Sequence, residues 1–252
     1  MTLAEPPPLD PAEIRFPPGD FEKYHERIQR DPEFNDARLV VRRKLDAIGK
    51  HLARTLSGKD LELVSRATLH HPYSTNGFRV SSQAVYLSRG EKERKAIQRH
   101  LGVDLGKDLD QNYTHAILLL EINEDGLLLA LRIHKAAWWD GENLKRGLQS
   151  RKRREELATV LDPLGEYGLR IGDHRRVRRC AGITERDLSE AMGFYTPGEQ
   201  WLHIERFIER EDPFVTEEEL LPRLTEQFQL LLPAYRAIRW SKRNDQLFGG
   251  GA

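Results

Sequence analysis

The residues of this sequence best suited to catalysis lie on a predicted β-hairpin and are His115, Glu121 and His134. Two imidazoles and a carboxylate could ligate a divalent metal, or could act as a general base with an electrostatic partner. A hydrolase or metal-dependent enzyme is therefore one candidate function. The alternative is a structural role, in which a helix covers half of this sheet face and the histidines lie at its solvent-exposed edge. No HExxH, His-x-His or paired-carboxylate spacing accompanies these residues, so the sequence predicts no metal site and no cofactor.

A second group of residues is suited to binding anions. Between Lys145 and Arg179 the sequence holds eleven basic and five acidic residues, a local balance of +6. Arginine predominates there, and its guanidinium fork matches the geometry of a phosphate. Together with the hairpin face and two tryptophans, this segment supplies the predicted ligand-binding residues, which are Arg79, Gln83, Arg132, Trp138, Trp139, Arg146, Arg151, Arg153, Arg154, Arg175, Arg176 and Arg178.

The basic segment has a counterpart of opposite sign. Residues 199–226 hold nine carboxylates and three arginines, a balance of −6. The two blocks could pair inside the fold or across a dimer, and the basic segment would then be structural. Otherwise it is free for an anionic partner. No RNP motif, helix-turn-helix or glycine-rich phosphate loop accompanies the charge.

Three smaller features have two interpretations each. Trp138 and Trp139 either stack on bases or line a pocket, or one indole plugs the core while the other covers a helix start. The segment 70–79 (HHPYSTNGFR) is either a binding loop held by the sheet or an ordinary turn. Cys180 follows Arg179 but has no His-Asp arrangement nearby, which favours a small buried residue over a nucleophile.

The spacing of apolar residues predicts the elements that position these side chains. Helical spacing predicts an amphipathic helix from Asn35 or Asp36 to Leu56. Alternation over 78–87 predicts a half-buried strand, and 113–135 predicts a hairpin closed by a turn of two or four residues. With either turn length, the residue numbers of two paired positions sum to an odd number. The same residues therefore share one face of the hairpin in both cases. These residues are Leu118, Leu120, Ile122, Leu129, Leu131 and Ile133.

The second half of the chain is predicted to contain both helices and strands. Asp140 is the predicted N-cap of one helix that continues to Pro163. Residues 149–156 of that helix offer no apolar face, so they should meet water or a partner. The further predicted elements are short strands at 165–182, a short helix at 183–192, a strand at 199–209, and a last helix that begins at the capping-box pattern Thr216 to Glu219.

These elements predict a fold class and a domain organisation. Central strands between terminal helices predict an α+β fold, with a central, mainly antiparallel sheet flanked by helices. A Pro-rich N-terminal arm is predicted over 1–20, a single domain over 21–245 and a flexible C-terminus over 246–252. Within that domain, an insertion at about 140–198 holds the Arg-rich helix and strand.

The composition excludes several classes of protein. The 252 residues include 40 basic and 40 acidic ones, and this zero net charge excludes a histone-like nucleic-acid binder. One cysteine excludes a disulfide scaffold and a multi-thiolate zinc site. No stretch approaches the roughly 20 apolar residues of a transmembrane helix, and the N-terminus does not resemble a signal peptide. The expected location is the cytoplasm, with no membrane partner.

Three segments resemble a known family. The opening FPPGDFEKY, the helix VRRKLDAIGKHLARTL and the closing EEELLPRLTEQFQLLLPAYRAIR are similar to the YktB-like family of uncharacterised bacterial proteins. The resemblance covers roughly the first third and the last helix, and more loosely the central strands, but not residues 140–199. It implies an intracellular α+β protein whose sheet is flanked by helices, with no assigned reaction and no catalytic residues.

We therefore expect a binding or accessory module that contacts an anionic partner, either nucleic acid or a phosphorylated ligand, through its Arg-rich surface. A hydrolase that uses the His/Glu sheet face is the first alternative. A protein-interaction subunit or homodimer, docked through the opposed charge blocks, is the second. No motif fixes a reaction.

Overall fold

A single antiparallel sheet organises the chain. The computed structural model describes residues 10, 13–101, 114–172, 174–216 and 219–248. Within them, seven strands follow the order β1-β2-β3-β4-β7-β5-β6, and all neighbouring strands are antiparallel. The predicted α+β class is thus confirmed. The strands are β1 (Leu63–Ala67), β2 (Ser82–Arg89), β3 (Ala116–Asn123), β4 (Gly126–Ile133), β5 (Gly168–Ile171), β6 (Arg178–Arg179) and β7 (Leu202–Glu209).

Helices surround this sheet, and two of them form the main core with it. The α-helices of the described ranges are α1 (Pro18–Phe21), α2 (Asn35–Leu56), α3 (Glu91–Leu101), α4 (Trp138–Gly147), α5 (Arg151–Leu161), α6 (Glu185–Phe194), α7 (Pro213–Thr216) and α8 (Leu220–Ile238). Helix α2 packs on β1 and β2, and α8 packs on β3 and β4. No helix among the described residues has the length and apolar character needed to cross a membrane.

Helix α2 confirms the prediction made from its apolar spacing. It begins at Asn35 and ends at Leu56, and Val41, Leu45 and Ile48 are fully buried along its sheet-facing stripe. Gly49 lies on the same stripe, where an added Cβ would overlap the Val85 side chain of β2. The glycine therefore allows the helix axis to approach the sheet closely.

The hairpin of β3 and β4 has the predicted faces. Ile122 pairs with Leu127 and Leu118 pairs with Leu131, which is the register of the four-residue turn. The Asn123 Oδ1 atom accepts the amides of Asp125 and Gly126, at 2.8 and 3.0 Å, and so fixes the turn. All six residues predicted to share one face lie in the main core.

Strand β2 differs from its prediction. It begins at Ser82 rather than near Phe78, and it is buried on both faces instead of one. Val85 joins the main core on one face, and Ala84 joins a small second cluster with Leu119 and Ala130 on the other. Within β2, residues on both faces are therefore covered, whereas Phe78 and Arg79 of the predicted strand are exposed.

The prediction of one continuous helix from Asp140 to Pro163 is wrong. The chain forms α4 and α5, which are separated at 148–150, where Ser150 has an extended backbone (φ −74°, ψ 126°). The break lets Leu148 and Leu157, on either side of it, both reach the core. Residues 149–156 between them are mostly exposed, as their lack of an apolar face predicts. Asp140 lies in the first turn of α4 and is buried, instead of capping it.

The described residues near both ends of the chain pack against the rest of the domain. Ile14 and Phe16 are buried in the main core, while residues 1–9, 11 and 12 of the predicted arm lie outside the described ones. The Gln246 amide donates to Asn143 Oδ1 at 2.7 Å, and residues 249–252 lie outside the described ones. Strand β5 of the predicted insertion pairs with β7 in the same sheet.

Helix α8 starts later than predicted. The expected capping box at Thr216 does not form, because Thr216 ends α7 and donates its hydroxyl hydrogen to the Asp212 carbonyl at 3.2 Å. Helix α8 begins at Leu220, and Glu219 before it has a left-handed backbone and no side-chain cap. Residues 217 and 218 lie outside the described ones.

Candidate functional site

The hairpin face opposite the main core carries a row of charged side chains, and we call it the outer face. On β7, Glu205 lies between two small residues of its neighbouring strands, Ala130 and Gly168. The space above them lets two arginines reach the same carboxylate. Arg170 Nη2 is 2.8 Å from Glu205 Oε1, and Arg132 Nη2 is 3.4 Å from Glu205 Oε2.

Glu121 and His203 complete this charged row. Glu121 Oε2 lies 3.6 Å from Arg132 Nη1, and His203 Nδ1 lies 3.4 Å from Glu205 Oε2. Burial favours the neutral carboxyl of Glu205, but His203 and Arg170 outweigh it and lower its pKa to about 2. Burial raises the pKa of Glu121 despite the nearby Arg132. Two arginines face two carboxylates, so the row is an internal ion-pair network rather than an open anion site.

Of the three predicted catalytic residues, Glu121 lies apart from the two histidines. It follows His115 by six positions, which corresponds to about 20 Å of extended chain. The last pair of the hairpin register, Ala116 with Ile133, puts His115 and His134 at adjoining ends of β3 and β4. His115 is buried with its ring 5.8 Å from that of Trp139, whereas the ring of His134 lies 3.9 Å from that of Trp201. The described residues contain no group of three His, Cys, Asp or Glu side chains arranged to hold a metal.

The two tryptophans before the Arg-rich segment have different environments. Trp139 is buried in a small cluster with Ile97 and Trp240, while Trp138 is 37% exposed. This matches the interpretation in which one indole fills the core and the other covers the helix start. Only Trp138 is accessible to a partner.

Asp140, which follows this pair, has a role that its local sequence does not reveal. Its carboxylate accepts two hydrogen bonds from Arg89 Nη2, at 2.5 and 2.6 Å. It also accepts the backbone amides of Ala116 and Trp240, at 2.7 and 2.6 Å. Both charged side chains are completely buried, so this constellation is a structural centre rather than a site that a ligand could reach.

Most of the predicted basic block is neutralised by nearby carboxylates. Arg170 with Glu205 is the only pair in the described part of the chain that joins its arginines to the acidic block. The acidic partners lie instead within helices α4, α5 and α6. These local pairs are Arg146 with Glu142, Arg151 with Glu155, Lys152 with Glu156, Arg154 with Glu185, and both Arg176 and Arg178 with Glu190.

The arginines around the edge strand β6 are less completely paired. Four arginines occupy positions 175–179, and Glu190 is the one carboxylate of the described residues that contacts any of them. Arg175 and Arg179 are exposed. The Arg178 side chain is only 6% exposed, its Nη2 is 3.4 Å from Glu190, and its Nε has no hydrogen-bond acceptor within the described ranges.

A shallow groove of about 400 Å³ lies beside these arginines on the outer face. Gly168 forms its floor, since a Cβ there would overlap the Val177 side chain. Val177 and Phe207 line the groove and are 56% and 46% exposed. Arg179, Arg206, Glu166 and Glu205 supply its charges.

The loop over 70–79 forms the turn that was one of its two predicted interpretations. The Tyr73 amide donates to Asn76 Oδ1 at 2.7 Å, and the Phe78 amide donates to the Tyr73 carbonyl at 2.8 Å, so the loop is an ordered turn. It also presents Tyr73 and Phe78, which are 53% and 62% exposed. Phe78 has a left-handed backbone with φ 56°, which costs about 1–3 kcal/mol for a residue other than glycine.

Two predicted ligand-binding residues of this region are placed differently from expectation. Gln83 faces the main core, where its Oε1 accepts the Tyr24 hydroxyl at 2.8 Å, so it does not join the outer face. Arg79 lies on the exposed loop, not on the strand. Glu205, Arg170 and His203 were not predicted to join the charged row, because their strands lie far along the chain from the hairpin.

A scan against protein-family models finds no match for this chain, and a search of curated proteins finds none either. The resemblance of the terminal helices to the YktB-like family therefore stays a prediction.

Proposed function

We propose that the protein is a binding module for an anionic partner, and that nucleic acid is held by the arginines around β6. The observation that carries this proposal is that Arg175 and Arg179 are exposed and have no ion-pair partner among the described residues, whereas Arg176 and Arg178 share the carboxylate of Glu190. A local excess of guanidinium charge at the surface attracts phosphates and releases their counterions.

The alternation of the strand supports a phosphate chain as the ligand. Arg178 pairs with Leu169, on the core side of the sheet, while Arg179 pairs with Gly168, on the outer face. Arginines therefore flank this sheet edge on both sides. Arg178 is buried, so the exposed Arg179 is the arginine of this strand that a phosphate could reach.

The groove next to β6 adds surface for the other parts of a nucleotide. Val177 and Phe207 offer apolar contact for a sugar or base, and Arg179 lies at the same groove. A larger depression of about 530 Å³ at the hairpin end suits an anion less, because four carboxylates line it. These carboxylates belong to Glu124, Asp125, Glu209 and Glu211.

The test is a salt titration of oligonucleotide binding by the double variant Arg175→Ala, Arg179→Ala. Each lost phosphate contact lowers the slope of log K against log salt by about 0.7 to 0.9. We expect the double variant to bind the oligonucleotide more weakly than the unmodified protein. Its salt slope should be smaller by the amount that one or two lost phosphate contacts would cause.

The matched control removes two exposed cations elsewhere, in the double variant Lys50→Ala, Arg243→Ala. Both have carboxylate partners, Asp46 and Asp60, and neither is near β6 in the sheet. Binding by this control should keep the original slope. Equal losses in the two variants, or no binding of any nucleic acid at low salt, would refute the proposed function.

A further inference from the structure

The exposed loop over 70–79 belongs to a stretch of unusual composition. The chain has 40 carboxylates in 252 residues, yet none occurs between Glu62 and Glu91. That interval contains Arg66 and Arg79, which are exposed, and the two histidines of the loop. Its surface is thus basic and aromatic without a carboxylate of its own.

The aromatic rings of this loop form a row. The ring of His71 lies 4.9 Å from that of His70 and 6.2 Å from that of Tyr73, and both contacts are edge-to-face. Asn76 holds the row in place, because its Nδ2 donates to the His71 carbonyl at 3.0 Å. The Tyr73 ring at the end of the row is therefore presented to solvent by an ordered backbone.

Helix α2 adds positive charge behind the row. Arg42 Nε donates to the Thr68 carbonyl at 2.9 Å, where the loop leaves β1. Burial, His71 and Arg42 lower the pKa of His70, and Arg43 acts in the same direction. Asp36 opposes them and acts to raise the pKa of His70.

The backbone of Phe78 gives an independent reason to assign a function to this loop. Glycine or asparagine would adopt its left-handed conformation with less strain. Phenylalanine is strained in this conformation. Burial of its side chain does not compensate for the strain, since the side chain is largely exposed. Strain of this kind, held by an ordered turn, is characteristic of sites that present a side chain to a ligand.

We infer that Tyr73 and Phe78 form a stacking surface for unpaired bases of single-stranded nucleic acid. Exposed aromatic side chains beside Arg79, in a segment that contributes no carboxylate of its own, suit a ligand that alternates bases and phosphates. An acidic protein segment is the competing occupant, and it would use the apolar surface without needing a flat ring. This inference deepens the proposed function and rests on it for the chemistry of the partner, but it uses different residues.

The experiment compares two single-stranded probes of equal length, an oligothymidylate and an abasic oligonucleotide that keeps the phosphates. Phe78→Asn and Tyr73→Ala should each lower the affinity for oligothymidylate about 5- to 100-fold, the range of one lost base stack. Neither variant should change the weaker binding of the abasic probe. Fluorescence anisotropy at constant low salt measures both.

Two controls separate stacking from folding and from general apolar contact. Phe78→Asn should keep or raise the melting temperature, because asparagine tolerates the left-handed backbone. Leu69→Asn removes an exposed apolar side chain from the same loop without removing a ring, and it should bind oligothymidylate like the unmodified protein.

Three results would overturn the inference: unchanged oligothymidylate binding by Phe78→Asn, an equal loss on both probes, or a loss by Leu69→Asn as large as that by Phe78→Asn. The last result would show that general apolar contact, and not stacking on a ring, holds the oligonucleotide. The proposed function fails separately, when Arg175→Ala with Arg179→Ala leaves the salt slope unchanged while the loop variants still weaken oligothymidylate binding.

Discussion

Arg89 on β2 donates two hydrogen bonds from one guanidinium nitrogen to the carboxylate of Asp140 on α4, although 51 residues separate them in the sequence. The carboxylate also accepts the amides of Ala116 and Trp240, so four chain segments meet at one buried charge. Such a pair is stable only while its partners all remain, because a buried charge without a counterion is very unfavourable.

Asp140→Ala should therefore be among the most destabilising single substitutions in this protein. It leaves the Arg89 guanidinium completely buried and without its carboxylate, and we expect the free energy of unfolding to fall by about 3–5 kcal/mol. Urea denaturation followed by circular dichroism measures this. Asp60→Ala is the control, since Asp60 also pairs with an arginine, Arg243, but in solvent, and it should cost less than about 1 kcal/mol. Similar losses for both would contradict this account of the buried pair.

Gly49→Ala should destabilise the contact between α2 and the sheet. The new methyl group would overlap Val85 and lie 3.1 Å from the Cβ of Ser65, so the helix or the strand must move. Overpacking of this kind costs about 1–3 kcal/mol. Gly193→Ala, in α6, is the helical control, because nothing lies within 4 Å of its added Cβ, and it should be neutral or stabilising by up to about 1 kcal/mol. Equal melting temperatures for the two variants would contradict the tight approach.

Glu205→Gln should reduce the loss of stability in acid. In the folded protein Glu205 has a pKa of about 2, below its ordinary value of 4.5, so its contribution is complete above pH 4.5 and is lost as the pH falls towards 2. We expect this part of the pH dependence, on the order of 2–3 kcal/mol, to disappear in the variant. Denaturation at a series of pH values tests this.

The control for acid stability is Glu91→Gln. A hydrogen bond from Lys95 lowers the pKa of Glu91 as well, but the carboxylate is fully exposed on α3 and water screens it. Its substitution should leave the acid profile almost unchanged. A Glu205→Gln profile parallel to that of the unmodified protein would refute the importance of the His203 and Arg170 contacts.

Cys180 should be inert in the folded protein. It is completely buried, and burial raises the pKa of its thiol to about 12, so almost no thiolate is available to a reagent. We expect maleimide labelling to occur only across the unfolding transition. A surface control, Ser189→Cys in a Cys180→Ala background, should react at once. Rapid labelling of native Cys180 would show that its surroundings open easily.

The elements that can be predicted are those that depend on the sum of paired residue numbers in a hairpin or on the local periodicity of apolar residues. The faces of the β3–β4 hairpin follow from an odd register sum, which does not depend on the turn length. The bounds of α2 follow from its apolar stripe. The break between α4 and α5 is not predictable from the apolar spacing, because residues 149–156 offer no apolar position whose burial would mark the change of direction at Ser150.

Pairings between distant segments were not predictable from local patterns. The ion pair of Arg132 with Glu205 joins residues 73 apart, and it depends on β7 lying beside β4. Nothing near Asp140 distinguishes a helix cap from the partner of a buried arginine. The sequence leaves open whether the two charge blocks pair with each other. In the structure helix α6 supplies carboxylates for several of the arginines of the basic block.

Trp240 donates its amide to Asp140, a residue 100 positions earlier, and accepts a hydrogen bond from Arg89 through its carbonyl. This has a consequence for synthesis on the ribosome. The strands up to β4 and helix α4 emerge while Trp240 has not yet been translated, so the nascent chain must keep Asp140 and Arg89 hydrated or incompletely bonded. The interior is therefore completed only by the segment after α8. A chaperone that shields the emerging sheet would have to release it late, once this segment is available.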